Sequence, residues 1–238
     1  YGNPESYVVH GKRYYVMNSS RGYVKRGIAS WYGNKFHGRR TSSGETYNMY
    51  AMTAAHKKLP LPTYARVTNL RNNKSAIVKI NDRRPFHENR IIDLSYAAAS
   101  KLGIAKKGTG LVEVRALQPG RPNNTATARP APKFVRQPSS QATPIPPAGG
   151  TAGSDPNLYL QAGAFVSRDN AERLRKRLSE GAKLPVQIDP TQNEEHATIY
   201  RVRLGPVSSV TAADAATARL RELGVSSPRV VIERAWDD

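Results

Sequence analysis

Apolar positions cluster in four short segments of the first half of the chain, residues 28–32, 64–70, 75–82 and 111–117, and in 75–82 they alternate with polar ones. Each is β-branched or aromatic and bounded by Gly, Asn or Pro, so each predicts a strand. Arg71, Asn72, Asn73 and Lys74 supply the hairpin turn between two of them. One helix interrupts the pattern: Ser95 suits the N-cap, residues 96–102 form an Ala-rich body, and Gly103 stands where a C′ glycine belongs. Short strands with one helix predict a small closed or nearly closed barrel. The last part reads differently. Strands over 158–164, 185–188, 197–204 and 229–233 alternate with helices over 168–180 and 212–223. Ala171, Leu174 and Leu178 share one face of the first helix, followed by Gly181; Thr211 caps the second, and Gly224 ends it. The order βαββαβ predicts a ferredoxin-like unit with both helices on one sheet face and the other face open.

Composition divides the chain into four parts. Residues 119–156 carry nine of the seventeen prolines, with Ala, Thr, Ser and Gly between them, a composition that cannot bury a core. We read them as a flexible, Pro-rich linker between a mainly β domain (27–118) and an α+β domain (157–238). Residues 1–26, rich in Tyr and basic side chains, form an N-terminal arm. Charge sharpens the division. Residues 1–118 hold 21 basic and 6 acidic side chains, whereas 157–238 hold 12 and 11. The first part therefore faces a polyanion: nucleic acid, acidic lipid or a carboxylate-bearing glycan. No apolar run approaches the roughly 18 residues of a membrane helix, and the absence of Cys removes disulfides and thiolate chemistry. Tyr1 in the place of Met suggests that an export signal or lipid-carrying residue has been removed.

The five histidines show no metal-ligand spacing, and no phosphate-loop, dinucleotide or serine-nucleophile motif occurs, so neither a metal nor a cofactor is expected. Scarce acids draw attention instead. Asp82 follows Ala76, Val78 and Ile80 in phase, which points it to the barrel interior or rim, where lost hydration raises a carboxyl pKa. Arg83 and Arg84 act in the opposite sense, and Asn-Asp-Arg-Arg-Pro is equally good turn chemistry. Glu45 lies in a loop of small hydroxylated residues that could line a sugar site or simply be solvated. His56, taken alone, reads as a structural histidine.

Seven motifs join these residues: GIASWYG (27–33), FHGR (36–39), TSSGE (41–45), MTAAH (52–56), RVTNL (66–70), INDR (80–83) and RIIDLS (90–95). In this order they resemble the double-psi β-barrel of the rare lipoprotein A family, septal lytic transglycosylases of Gram-negative bacteria. Arg84 departs from the family, which usually has Gly there. LQAGAF (160–165) and YRVRLGP (200–206) resemble the sporulation-related repeat, which binds peptidoglycan strands stripped of stem peptides.

The resemblance implies an enzyme, endo- or exo-acting, that cleaves the MurNAc–GlcNAc β-1,4 bond without water and leaves 1,6-anhydro ends. It places Asp82 as acid/base, Glu45 as stabiliser of the developing cation and His56 as a supporting hydrogen-bond group. Tyr159, Gln161, Tyr200, Arg201 and Arg203 would bind glycan on the second domain. The implied setting is the periplasm, at the division septum with its cell-wall machinery, on an outer-membrane lipid anchor. Two other classes are compatible with parts of the sequence: a non-catalytic, expansin-like wall-binding protein, and a nucleic-acid binder. The second is disfavoured because residues 200–207 lack stacked aromatics and the second domain is nearly neutral.

Overall fold

The computed structural model describes residues 2–87, 89–118, 157–193 and 196–233, without the side chain of Asn34; the expected linker, 119–156, lies outside the described residues. The chain opens with a hairpin, β1 (Ser6–Val9) and β2 (Lys12–Tyr15). Six strands then close into a barrel: β3 (Val24–Trp31), β4 (Thr53–His56), β5 (Thr63–Asn69), β6 (Ser75–Asp82), β7 (Arg90–Leu94) and β8 (Thr109–Ala116). Around the barrel they run β3-β7-β4-β6-β5-β8, with β3·β7 and β4·β6 parallel and the other pairs antiparallel. Two strands, β4 and β7, were not foreseen. Each is only four or five residues long and lacks a sustained alternation.

Ala54, Val67, Val78, Ile80, Leu94, Val112 and Val114 fill the barrel, and α1 (Tyr96–Lys101) closes one end with Ala98, Ala99 and Leu102. Ser95 caps α1 as its sequence predicts, its hydroxyl accepting from Ala98 N–H at 3.1 Å, and Gly103 follows at φ 72°.

The second unit is a four-stranded antiparallel sheet of order β10-β11-β9-β12, from β9 (Asn157–Phe165), β10 (Val186–Gln192), β11 (Thr198–Val207) and β12 (Arg229–Glu233). Helices α2 (Arg168–Gly181) and α3 (Val210–Glu222) bury Ala171, Leu174, Leu178, Ala213 and Leu220 against Leu158, Leu160, Val202 and Leu204 of the sheet. This is the ferredoxin-like arrangement. The cap of α3 is Ser209, two residues before the expected Thr211, because its hydroxyl reaches Ala212 N–H at 3.1 Å. Barrel and sheet meet where Arg90 pairs with Asp214 at 2.7 Å and Asn89 donates to Asp214 and Thr217.

One buried cation organises the barrel's margin. The Arg83 guanidinium donates to the carbonyls of Gly2, His56 and Leu59 and to the side-chain oxygen of Asn3. Asn3 in turn exchanges hydrogen bonds with the backbone of Leu61. Arg83 thus ties the N-terminal segment, the turn after β4 and the end of β6 into one knot. The His56 ring secures the same turn: Nδ1 accepts from the N–H groups of Lys58 and Leu59, at 3.1 and 2.9 Å, and Nε2 meets the Tyr23 hydroxyl at 2.8 Å. Accepting at Nδ1 fixes the proton on Nε2.

Removing the Arg83 side chain strands those carbonyls. Arg83→Met should cost the barrel about 1–3 kcal/mol, read as a lower urea midpoint; a loss under about 0.5 kcal/mol would leave the knot without energetic weight. His56 yields a pH prediction. Burial, reinforced by Lys25 and Arg83, pushes its imidazole down from 6.5 to about 3. The folded state holds the neutral form, so this stabilisation is complete above about pH 6.5 and is lost as the pH falls toward 3, by up to about 1.4 kcal/mol per unit. His56→Gln should remove that share of the acid sensitivity when unfolding midpoints at pH 7, 5 and 4 are compared with the wild type.

Candidate active site

The β4 register puts two carboxylates in line. Ala55 lies opposite Asp93 of β7 on one side and opposite Asp82 of β6 on the other, and Asp93 lies opposite Ser30 of β3. Ser30, Asp93, Ala55 and Asp82 therefore form one row across four neighbouring strands. Two inter-strand spacings separate the acids, about 9–10 Å between backbones. The row does not face the barrel core. Ala54, whose partners are Ile80 and Leu94, points into the core, whereas Ala55 lies among Tyr32, Tyr47 and Met49, with Phe36 beside them.

This corrects the expectation for Asp82. From Ala54 to Ala55 the partner on β6 advances from Ile80 to Asp82, leaving Asn81 as an extra residue. Such a bulge breaks the alternation. Asp82 thus leaves the phase of Val78 and Ile80 and joins the outer row. Its Oδ1 accepts three hydrogen bonds, from Ser42 N–H at 2.8 Å, Ser42 Oγ at 2.7 Å and Arg83 N–H at 2.8 Å. Oδ2 accepts none from the described residues.

Asp93 escaped the sequence reading, although RIIDLS was among the motifs and acids were scarce. Burial raises its carboxyl pKa, opposed by a short hydrogen bond from Ser30 Oγ and by the charges of Arg84, Arg90 and Lys57. A lone acid between apolar strand residues and a helix cap was the available signal.

Glu45 sits nearby on a different edge. The loop 41–45 folds over the end of β6, with Ser43 N–H donating to the Asn81 carbonyl at 3.2 Å. The Glu45 carboxylate takes Lys79 on Oε1 and Asn81 on Oε2, and those two bonds hold its pKa below the usual range. It is a fixed anion. His56 is not joined to the acids: its ring bonds go to Tyr23 and the backbone, and it is in phase with Ala54, across β4 from Ala55. Its link to the site is its carbonyl, which accepts from Arg83.

Tyr32 and Tyr47 border the row beside Ala55. They lie 4.7 Å apart, and Trp31, Tyr96 and Tyr50 form a second run, with Tyr50 largely exposed. Among the described residues no group of three His, Asp or Glu converges as a metal site would require.

On the second unit, Gln161, Arg201 and Arg203 line a cleft of about 920 Å³ whose opposite wall includes Lys12, Lys25, Lys57 and Lys58. Arg203 is already neutralised there, paired with both Asp189 and Glu233. Among the described residues Arg201 makes no such pair. Tyr159 lies on the side of Gln161, with its ring against Gly205. Tyr200 does not belong to this face: alternation along β11 puts it with Val202 and Leu204, and it lines a hollow with Arg168, Glu172 and Arg175 of α2.

A family model described as lytic transglycolase matches residues 24–114, and one described as SPOR domain matches residues 154–231. The endolytic peptidoglycan transglycosylase RlpA of Pseudomonas aeruginosa is 43% identical over 259 positions, taking in 94% of this chain and 75% of that protein. Its counterpart in Vibrio cholerae is 38% identical over 209 positions, 87% of this chain and 68% of the relative. The crystal structure of the SPOR domain of P. aeruginosa RlpA is 35% identical, with a TM-score of 0.30, covering 31% of this chain and 96% of that one. By barrel, sheet and identity along nearly its whole length, the chain belongs to the RlpA family.

Proposed function

We propose that the protein is a lytic transglycosylase of peptidoglycan and that its reacting groups are Asp93 and Asp82. The observation that carries this is the registered pair itself: two carboxylates on one outer row, flanking the small Ala55, with different surroundings. The different surroundings of the two carboxyls suggest different roles. Asp93, whose burial raises its carboxyl pKa, serves as the acid. Asp82, held by three donors on Oδ1, serves as the anion, with Oδ2 turned to the substrate. The role that the resemblance gives Asp82 alone is thus divided between two residues.

In this scheme Asp93 donates its proton to the glycosidic oxygen as the C1–O bond of MurNAc breaks. Positive charge builds at C1, and Asp82 stabilises it while accepting the proton of the muramyl C6 hydroxyl. The C6 oxygen closes on C1, giving a 1,6-anhydro end with no water consumed, unlike ordinary glycoside hydrolysis. Glu45 adds negative potential from the loop edge, and His56 acts only by holding the turn that positions Arg83. Trp31, Tyr96 and Tyr50 offer apolar faces to sugar rings. The second unit would hold strands that lack stem peptides, with Arg201 meeting lactyl carboxylates and Gln161 meeting acetamido groups. We place the protein in the periplasm at the division septum; an outer-membrane lipid anchor and contacts with the septal machinery complete the reading.

Asp93→Asn and Asp82→Asn should each lower the yield of anhydromuramyl ends from stem-peptide-free strands by about 10²–10⁴-fold, assayed by mass spectrometry, with the fold intact by circular dichroism. Glu45→Gln should fall less. Activity of Asp93→Asn within a few-fold of wild type would return the acid role to Asp82. In the Asp93→Asn background, Arg201→Ala and Gln161→Ala should weaken retention on stripped sacculi, whereas Tyr200→Phe and Arg219→Ala, both on the helix side, should leave it unchanged. Equal retention on stripped and intact sacculi would count against the glycan assignment.

A further inference from the structure

Arg84 is the charged group of the cleft that the proposed reaction does not use. Its guanidinium lies 3.8 Å from the centroid of Phe36 and 5.7 Å from that of Tyr32. Stacked in this way, the planar group keeps its N–H edges free. Among the described residues it makes no hydrogen bond and no ion pair, although its charge is felt at Asp93, Tyr32 and Tyr47. An unpaired cation is a poor neighbour for a reaction that develops positive charge at carbon, since like charges repel most strongly in a partly dry cleft. It becomes an asset if the substrate arrives with an anion of its own. The planar edge of a guanidinium matches a carboxylate in a two-pronged bond, and the contacts with Phe36 and Tyr32 hold the group at the cleft.

We infer that Arg84 is a specificity residue that receives a carboxylate carried on the sugar chain beside the cleaved bond, and that this pairing removes the charge that would otherwise oppose cleavage. The inference rests on the lytic reading above, because the muramyl sugar is what brings a lactyl carboxylate into this cleft. It makes a two-sided demand. With the carboxylate present, Arg84 helps; with the carboxylate masked, Arg84 hinders.

The test compares the full-length wild type with Arg84→Gln and Arg84→Lys on stem-peptide-free strands, on the same strands as lactyl methyl esters, and on strands retaining stem peptides. The quantity read is the ratio of kcat/KM for free acid over ester, in which effects of the variant on folding or on Asp93 cancel. Wild type should prefer the free acid, and Arg84→Gln should shrink that preference about tenfold, partly by cleaving the ester faster than wild type does. Arg84→Lys should fall between, keeping the charge but losing the planar edge. An unchanged ratio in Arg84→Gln, or a loss confined to strands that keep their stem peptides, would overturn the assignment. If wild type releases no anhydromuramyl ends, the lytic reading falls; the same ratio, taken from dissociation constants, then still decides whether Arg84 receives the carboxylate.

Discussion

A single extra residue in β6 decides where the carboxylate at its end points. Without Asn81 as a bulge, Asp82 would continue the inward series of Val78 and Ile80, and a carboxylate would lie in a core of Ala, Val, Ile and Leu. Burying an unpaired charge there is prohibitive. The bulge instead turns the strand at its last residue, sets Asp82 across from Ala55, and leaves Asn81 to bind Glu45. Parallel pairing contributes as well, since β4 runs parallel to β6 but antiparallel to β7. The acids thus approach Ala55 from strands of opposite direction and emerge at one level.

Rigidity around that level comes from backbone, not side-chain packing alone. Arg83 follows Asp82 directly, and its guanidinium binds three carbonyls from two segments, the N-terminal stretch and the turn after β4. The same residue's N–H serves Asp82 Oδ1. The cation adjacent in sequence to Asp82 therefore acts mainly as structure, while the next one, Arg84, lies over aromatic rings and makes no hydrogen bond or ion pair among the described residues. The two arginines are neighbours with opposite fates, decided by the turn between β6 and the following proline.

Much of this was legible in advance. The β-rich first half, the Ser95 cap, the glycine after α1 and the βαββαβ order of the second part follow from short-range pattern, and short-range pattern is what a sequence displays. The site was legible only in part. Asp82 and Glu45 were singled out by scarcity and resemblance, but the phase of Asp82 was misjudged, because a bulge leaves no mark in composition. Asp93 was overlooked since its significance lies in register: it matters through Ala55 and Ser30, 38 and 63 positions away. Tyr200 fell on the wrong face for a simpler reason. It belongs to a motif whose other members alternate, and a motif does not state which side each member takes. His56 behaved as its isolated reading suggested, a buried, neutral, bonded ring.

The cross-sheet bond of Arg203 has a bearing on how such a protein stays soluble. β10 and β12 are the open edges of the four-stranded sheet, and open edges invite strand addition by neighbouring copies. Arg203 reaches Asp189 on one edge and Glu233 on the other, so each edge carries a charged group tethered inward. β10 also places Pro190 within its run, where no N–H is offered, and β12 is only five residues long. Charge, proline and brevity together guard both margins against edge-to-edge pairing with another copy of the sheet.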